Sequence, residues 1–162
     1  MTIQKEKIWS ILKEIPDPEI PVISIVDLGI ARDVRIENDK VTVDITPTYS
    51  GCPAMNVIEK EIIQKIKETG ITEVEIKTVF SPVWTTDWLT DEAKEKLREY
   101  GIAPPEKTST DKSLLTGKPK IISCPRCGSE KTILVSQFGS TACKALYKCE
   151  TCLEPFDYFK CH

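Results

Sequence analysis

The sequence predicts a small α+β domain, with helices laid on a mixed sheet, followed by a compact module pinned by cysteines. Two observations carry this reading. Over about residues 1–102, apolar residues alternate between helical and strand spacing in the order α-β-β-α-β-α. Beyond them, four cysteines stand in two Cys-x-x-Cys pairs, Cys124 with Cys127 and Cys149 with Cys152. Between the two parts, residues 103–120 are rich in Pro, Ser, Thr and Lys and have Leu114 and Leu115 as their only large apolar residues, which describes a linker. The division is therefore 1–102, 103–120 and 121–162.

The first helix is expected over 3–14, where Ile3, Ile8, Ile11, Leu12 and Ile15 keep a three- and four-residue spacing until Pro16 and Pro18 end it. After a proline-punctuated segment, residues 31–46 form a hairpin. Val34 and Ile36 alternate with charged residues, as do Val41, Val43 and Ile45, and Asn38-Asp39 tolerates the left-handed backbone of a tight turn. Ala54, Val57, Ile58, Ile62 and Ile66 give a second helix over 53–69 one apolar face, with Gly70 as its stop. A third strand covers 72–80, with Val74, Ile76 and Phe80 on one side, and an irregular loop covers 81–88. The last helix, 91–100, is capped by Thr90 and ended by Gly101.

Composition bounds the function. The chain of 162 residues is 40% hydrophobic and 29% charged, and no stretch approaches the roughly 18 consecutive apolar residues of a membrane span. The N-terminus lacks the apolar core of a secretion signal, so a cytoplasmic location is expected. In a reducing compartment paired cysteines serve as metal ligands rather than disulfides. Net charge is −3, and from Ile121 onward five basic side chains meet four acidic ones, so no cationic surface for nucleic acid is present. A partner protein is expected instead.

The two cysteine pairs are separated by 21 residues. Each two-residue gap lets both thiolates of a pair reach one ion, and two pairs close a tetrahedron with metal–sulfur distances of about 2.3 Å. Strands are expected over 131–138, 146–148 and 155–160, which makes the module a zinc ribbon. So small a module cannot build a sufficient apolar core, and the ion contributes on the order of 10 kcal/mol to its folding. Four thiolates leave no open position for water, so the zinc is structural; iron in the same site is the alternative metal. Cys143, Cys161 and His162 admit two readings: packing and an exposed terminus, or a second metal or iron–sulfur site.

Cys52 stands apart from the ribbon. Gly51 permits a tight turn and Pro53 suits the first position of a helix, so the Cys52 sulfur belongs at a helix N-terminus. Free N–H groups and the helix dipole favour an anion there, which makes a thiol reactive toward metals or electrophiles; the bland reading is a small buried cap residue. Asp17, Glu19, Asp27, Thr48, Trp84, Thr85 and Asp87 are the candidates for a shared functional surface around it.

Asp17-Pro-Glu-Ile-Pro-Val-Ile-Ser-Ile-Val-Asp-Leu-Gly29 and Thr46-Pro-Thr-Tyr-Ser-Gly-Cys-Pro53 resemble the α+β domain of SufT-like and Cia-type iron–sulfur assembly factors. Trp84-Thr-Thr-Asp-Trp-Leu-Thr90, Tyr100-Gly-Ile-Ala-Pro-Pro105, Phe138-Gly-Ser-Thr-Ala-Cys-Lys-Ala-Leu-Tyr147 and Pro155-Phe-Asp-Tyr-Phe-Lys-Cys-His162 extend the resemblance to the whole chain. Together they are similar to the D-subunit family of phenylacetyl-CoA epoxidase systems (PaaD, also called PaaJ). The resemblance implies an accessory role in aerobic phenylacetate breakdown: a maturation or iron–sulfur assembly factor acting through Cys52, which handles iron or a cluster in transit. Its partners would be other epoxidase subunits, the oxygenase or its iron–sulfur reductase. A purely structural subunit is the alternative. The residues agree that the chain is not itself an enzyme: no nucleotide loop or flavin fingerprint occurs, and one histidine excludes paired Glu-x-x-His di-iron ligands.

Overall fold

The computed structural model describes residues 3–48, 52–105, 121–139, 141 and 144–159. By contacts the chain divides into two compact units, Met1–Trp84 and Thr85–His162. The division falls before the last helix of the expected 1–102 body, so that helix groups with the ribbon. Most of the expected linker, residues 106–120, lies outside the described residues.

The first unit holds α1 (Lys5–Lys13), β1 (Ala31–Glu37), β2 (Lys40–Ile45), α2 (Ala54–Lys67) and β3 (Glu73–Thr78). β1 and β2 pair antiparallel, with Asn38 and Asp39 at φ 47° and 67° in the turn; two left-handed residues match the twist of the flanking strands. β2 and β3 pair in parallel, Val41 against Val74 and Val43 against Ile76, with α2 as the crossover. The sheet is thus mixed, in the order β1-β2-β3. Val41, Val43 and Ile45 of the central strand are fully buried, as are Ile8 and Leu12 of α1 and Ile58, Ile62 and Ile66 of α2.

Two features differ from expectation. Residues 16–30, to which no regular element was ascribed, contribute to the core: Ile20, Ile23, Ile25, Leu28 and Ile30 are all buried. Their backbone is satisfied locally, by Asp17 N to Ile23 O at 2.9 Å, Ile25 N to Ile15 O at 3.0 Å and Ile30 N to Ile25 O at 2.9 Å, which is what allows an irregular segment to be buried. Phe80 does not share a face with Val74 and Ile76; β3 ends at Thr78 and Phe80 is 69% exposed.

The second unit begins with a short 3-10 turn, Thr86–Trp88, and α3 (Asp91–Tyr100). β4 (Ile102–Ala103) then pairs in parallel with β7 (Pro155–Phe159). β5 (Thr132–Ser136), β6 (Lys144–Cys149) and β7 run antiparallel, giving the sheet order β4-β7-β6-β5. The ribbon sheet therefore carries a fourth strand, taken from the last residue of the expected body, Ile102, and the first of the expected linker, Ala103. Tyr147, Phe156 and Tyr158 pack its core; Tyr147 stacks on Phe156 at 5.9 Å and meets Tyr158 edge-on at 5.8 Å. Among the described residues no helix is long and apolar enough to cross a membrane.

Candidate metal centre and reactive thiol

The two knuckles are built alike. In the first, Cys124 N donates to Ser129 O at 2.9 Å and Gly128 N to Cys124 O at 2.9 Å, with Gly128 at φ 75°. In the second, Cys149 N donates to Glu154 O at 3.0 Å, and Leu153, at φ 65°, holds the place of Gly128. A left-handed leucine costs on the order of 1 kcal/mol, and it lets the second pair turn as the first does. Ser129 and Thr151 join the knuckles through a 2.8 Å hydroxyl hydrogen bond. Sequence reasoning missed Leu153; aligning Cys124-x-x-Cys127-Gly128 on Cys149-x-x-Cys152-Leu153 would have found it.

The four sulfurs of Cys124, Cys127, Cys149 and Cys152 lie within 4.8 Å of one another. Cys124 Sγ and Cys152 Sγ are 3.8 Å apart, and Cys127 Sγ and Cys149 Sγ 3.5 Å. A tetrahedron with metal–sulfur bonds of about 2.3 Å has edges of about 3.8 Å, so the set fits one tetrahedral ion. Cys124 and Cys149 are buried, Cys152 is half-buried and Cys127 exposed. The Cys149 sulfur accepts from Thr151 N at 3.4 Å and Cys152 N at 3.5 Å. The Cys152 amide is the main reason that its thiol is held down at about 6, against the opposing effect of burial. For Cys152 the Glu154 amide favours ionisation, but burial and the three neighbouring sulfurs push the thiol up to about 11. One thiolate forms readily and resists the ionisation of its neighbours until an ion neutralises the group. Cys143, Cys161 and His162 lie outside the described residues.

Cys52 is half-buried and directly precedes Pro53, whose φ of −69° and ψ of −21° are already helical at the head of α2. Its carbonyl accepts from Met55 N at 3.3 Å. The thiol thus stands where β2 hands over to α2 in a parallel β-α-β unit, the end at which such units hold ligands. Thr46 N bonds Ile30 O at 2.9 Å and Trp84 Nε1 bonds Leu28 O at 2.8 Å, so residues 24–30 and Trp84 are tied to the same end of the sheet.

The expected surface residues differ in burial and in local partners. Asp17 is buried, its carboxylate accepting from Glu19 N at 2.8 Å and Ile20 N at 2.9 Å. Thr48 and Trp84 are buried too, while Glu19 and Asp27 are half-buried. Asp27 and Ser24 exchange side-chain-to-backbone hydrogen bonds at 3.1 and 3.4 Å. Thr85 and Asp87 fall in the second unit, where Thr85 Oγ1 accepts from Asp87 N at 3.2 Å.

A helix-on-mixed-sheet α+β domain followed by a four-cysteine β-ribbon defines a two-part class of protein. Residues 5–77 match the family described as iron-sulfur cluster assembly protein, and residues 108–160 match the PaaD zinc beta ribbon domain. The D subunit of the putative 1,2-phenylacetyl-CoA epoxidase of Escherichia coli (strain K12) is 50% identical over 158 residues, which cover 98% of this chain and 93% of that protein. An Fe-S protein maturation auxiliary factor of Porphyromonas gingivalis is 36% identical over 95 residues, 57% of this chain and 90% of its own length. A solved domain of unknown function, DUF59, from Bacillus anthracis superposes with a TM-score of 0.53 at 28% identity, over 57% of this chain and 90% of that one. The chain belongs to the family of the phenylacetyl-CoA epoxidase D subunit.

Proposed function

We propose that this chain is an accessory subunit of a multicomponent phenylacetyl-CoA epoxidase, acting in the cytoplasm as a maturation factor and not as a catalyst. The observation that carries the reading is the full-length match to a D subunit, whose name places it in that system, together with a first domain of the iron–sulfur assembly family. In this reading the ribbon binds one zinc through Cys124, Cys127, Cys149 and Cys152 and serves as the handle for a partner, the oxygenase or its iron–sulfur reductase. Saturated by thiolates, that ion performs no chemistry. The reactive group is Cys52, whose thiolate serves as a transient ligand for iron or a cluster being delivered. Its place at the head of α2, where β2 hands over to the helix in a parallel β-α-β unit, supports this role.

Replacing Cys52 by Ser tests the proposal in cells growing on phenylacetate. The variant should keep the wild-type melting temperature and zinc content while epoxidase activity falls at least tenfold and the iron content of the reductase falls with it. Full activity in Cys52→Ser would rule out the thiol and favour a subunit that acts by contact alone.

A further inference from the structure

β5 is the terminal strand of the ribbon sheet, and among the described residues no strand pairs with its outer edge. Lys131 O accepts from Glu150 N at 2.8 Å, and Ile133 lies opposite Lys148. By the alternation of an antiparallel ladder, Ile133 turns its backbone groups toward β6 and Leu134 turns its own outward. Ile133, Leu134 and Val135 are 46%, 42% and 55% exposed, so the edge is apolar on both faces. Phe138, 66% exposed, extends the strip, its carbonyl held by Ser136 Oγ at 2.8 Å. Open edges are normally guarded by charge, proline or a bulge. Here the one irregularity lies between Leu134 and Ser136, and the residues before it are bare aliphatics.

Charge indicates what covers this edge. The exposed charges beside this edge are Lys131 and Lys148, with Glu150 opposite Lys131; Lys144 of β6 is buried. Lys131 and Lys148 are exposed and flank Ile133. A second copy would bring the same lysines to the same edge. A segment with acidic side chains complements it. The relatives point the same way. The maturation factor of Porphyromonas gingivalis has no counterpart for nearly half of this chain, whereas the D-subunit relative matches throughout.

We propose that the free edge of β5 receives an extended aliphatic segment of a partner protein as an added strand, with acidic side chains facing Lys131 and Lys148. Main-chain hydrogen bonds to Leu134 would supply affinity, and the exposed Ile133, Val135 and Phe138 side chains the selectivity. This rests on the reading of the chain as an epoxidase accessory subunit.

The test titrates the full zinc-loaded chain against the purified oxygenase and, separately, the purified reductase of the epoxidase, with calorimetry and amide hydrogen exchange as readouts. One component should bind and slow exchange at Leu134–Ser136 at least tenfold. Ile133→Glu with Val135→Glu should weaken binding at least tenfold at unchanged zinc content. Lys131→Glu with Lys148→Glu, which leaves the apolar strip intact, should weaken it too and remove its salt dependence. Wild-type affinity in both double variants would overturn the docking edge and leave the accessory-subunit reading standing. So would protection of Leu134 already present in the free monomer, or a dimer of the chain alone that Ile133→Glu dissociates. If neither component binds the wild-type chain, the accessory-subunit reading fails and the docking edge with it.

Discussion

Cys149 is the thiol on which the ribbon's response to pH turns. Held at about 6, below the ordinary value of 9.0, it favours its ionised form in the folded ribbon. A depressed value means stabilisation that is complete above the unfolded-state value and is lost as pH falls through about 6. Protons and metal compete for the same four sulfurs, so zinc affinity should weaken steadily as pH falls from 7.5. A zinc-sensitive dye titrated against pH reads this directly; full retention at pH 4 would contradict it. Cys149→Ser should lose the ion across the whole range, because three thiolates and a hydroxyl no longer close the tetrahedron. Cys52 makes a different point at the same scale. Gly-Cys-Pro ahead of an apolar helix was enough to place it, and Asp17 is as local, its carboxylate accepting from the amides two and three residues on, a turn that aspartate favours.

Among the elements, α3 is specified almost entirely by its own residues. Thr90 Oγ1 accepts from Ala93 N at 3.0 Å, Asp91 and Glu92 occupy the first turn, Arg98 lies in the last, and Gly101 at φ 92° closes it. Ala93 and Leu97 are its buried face. Removing the cap with Thr90→Ala should cost the second unit about 1 kcal/mol, read by denaturant melting; Thr90→Ser should restore most of it. β4 is the opposite case. Two residues are too short for any periodicity, and Ile102 and Ala103 become a strand only because Asp157 and Tyr158 arrive beside them from more than fifty residues away. β3 shows the intermediate situation, where the alternation of Val74 and Ile76 was legible but its end at Thr78, which leaves Phe80 exposed, was not.

Over the whole molecule the two units differ in what holds them. The first buries a continuous set of aliphatics from α1, residues 16–30, the sheet and α2. The second has a smaller core in which Cys124 and Cys149 are themselves members. Chelation should therefore unfold the ribbon and spare the first unit. Amide exchange at Lys144–Cys149 should accelerate at least a hundredfold after metal removal, while Val41 and Val43 stay protected. A single cooperative loss of both would show that the units are not independently stable.

The sequence by itself determined the four-cysteine cluster, the hairpin turn, both caps of α3 and the helical start beside Cys52. Each depends on residues a few positions apart, whose spacing and backbone preferences act before any tertiary contact forms. The tertiary structure alone decided that residues 16–30 are core, that Thr48 and Trp84 face inward, and that α3 and β4 group with the ribbon. Those outcomes rest on burial and on hydrogen bonds between distant segments, such as Trp84 Nε1 on Leu28 O and β4 along β7.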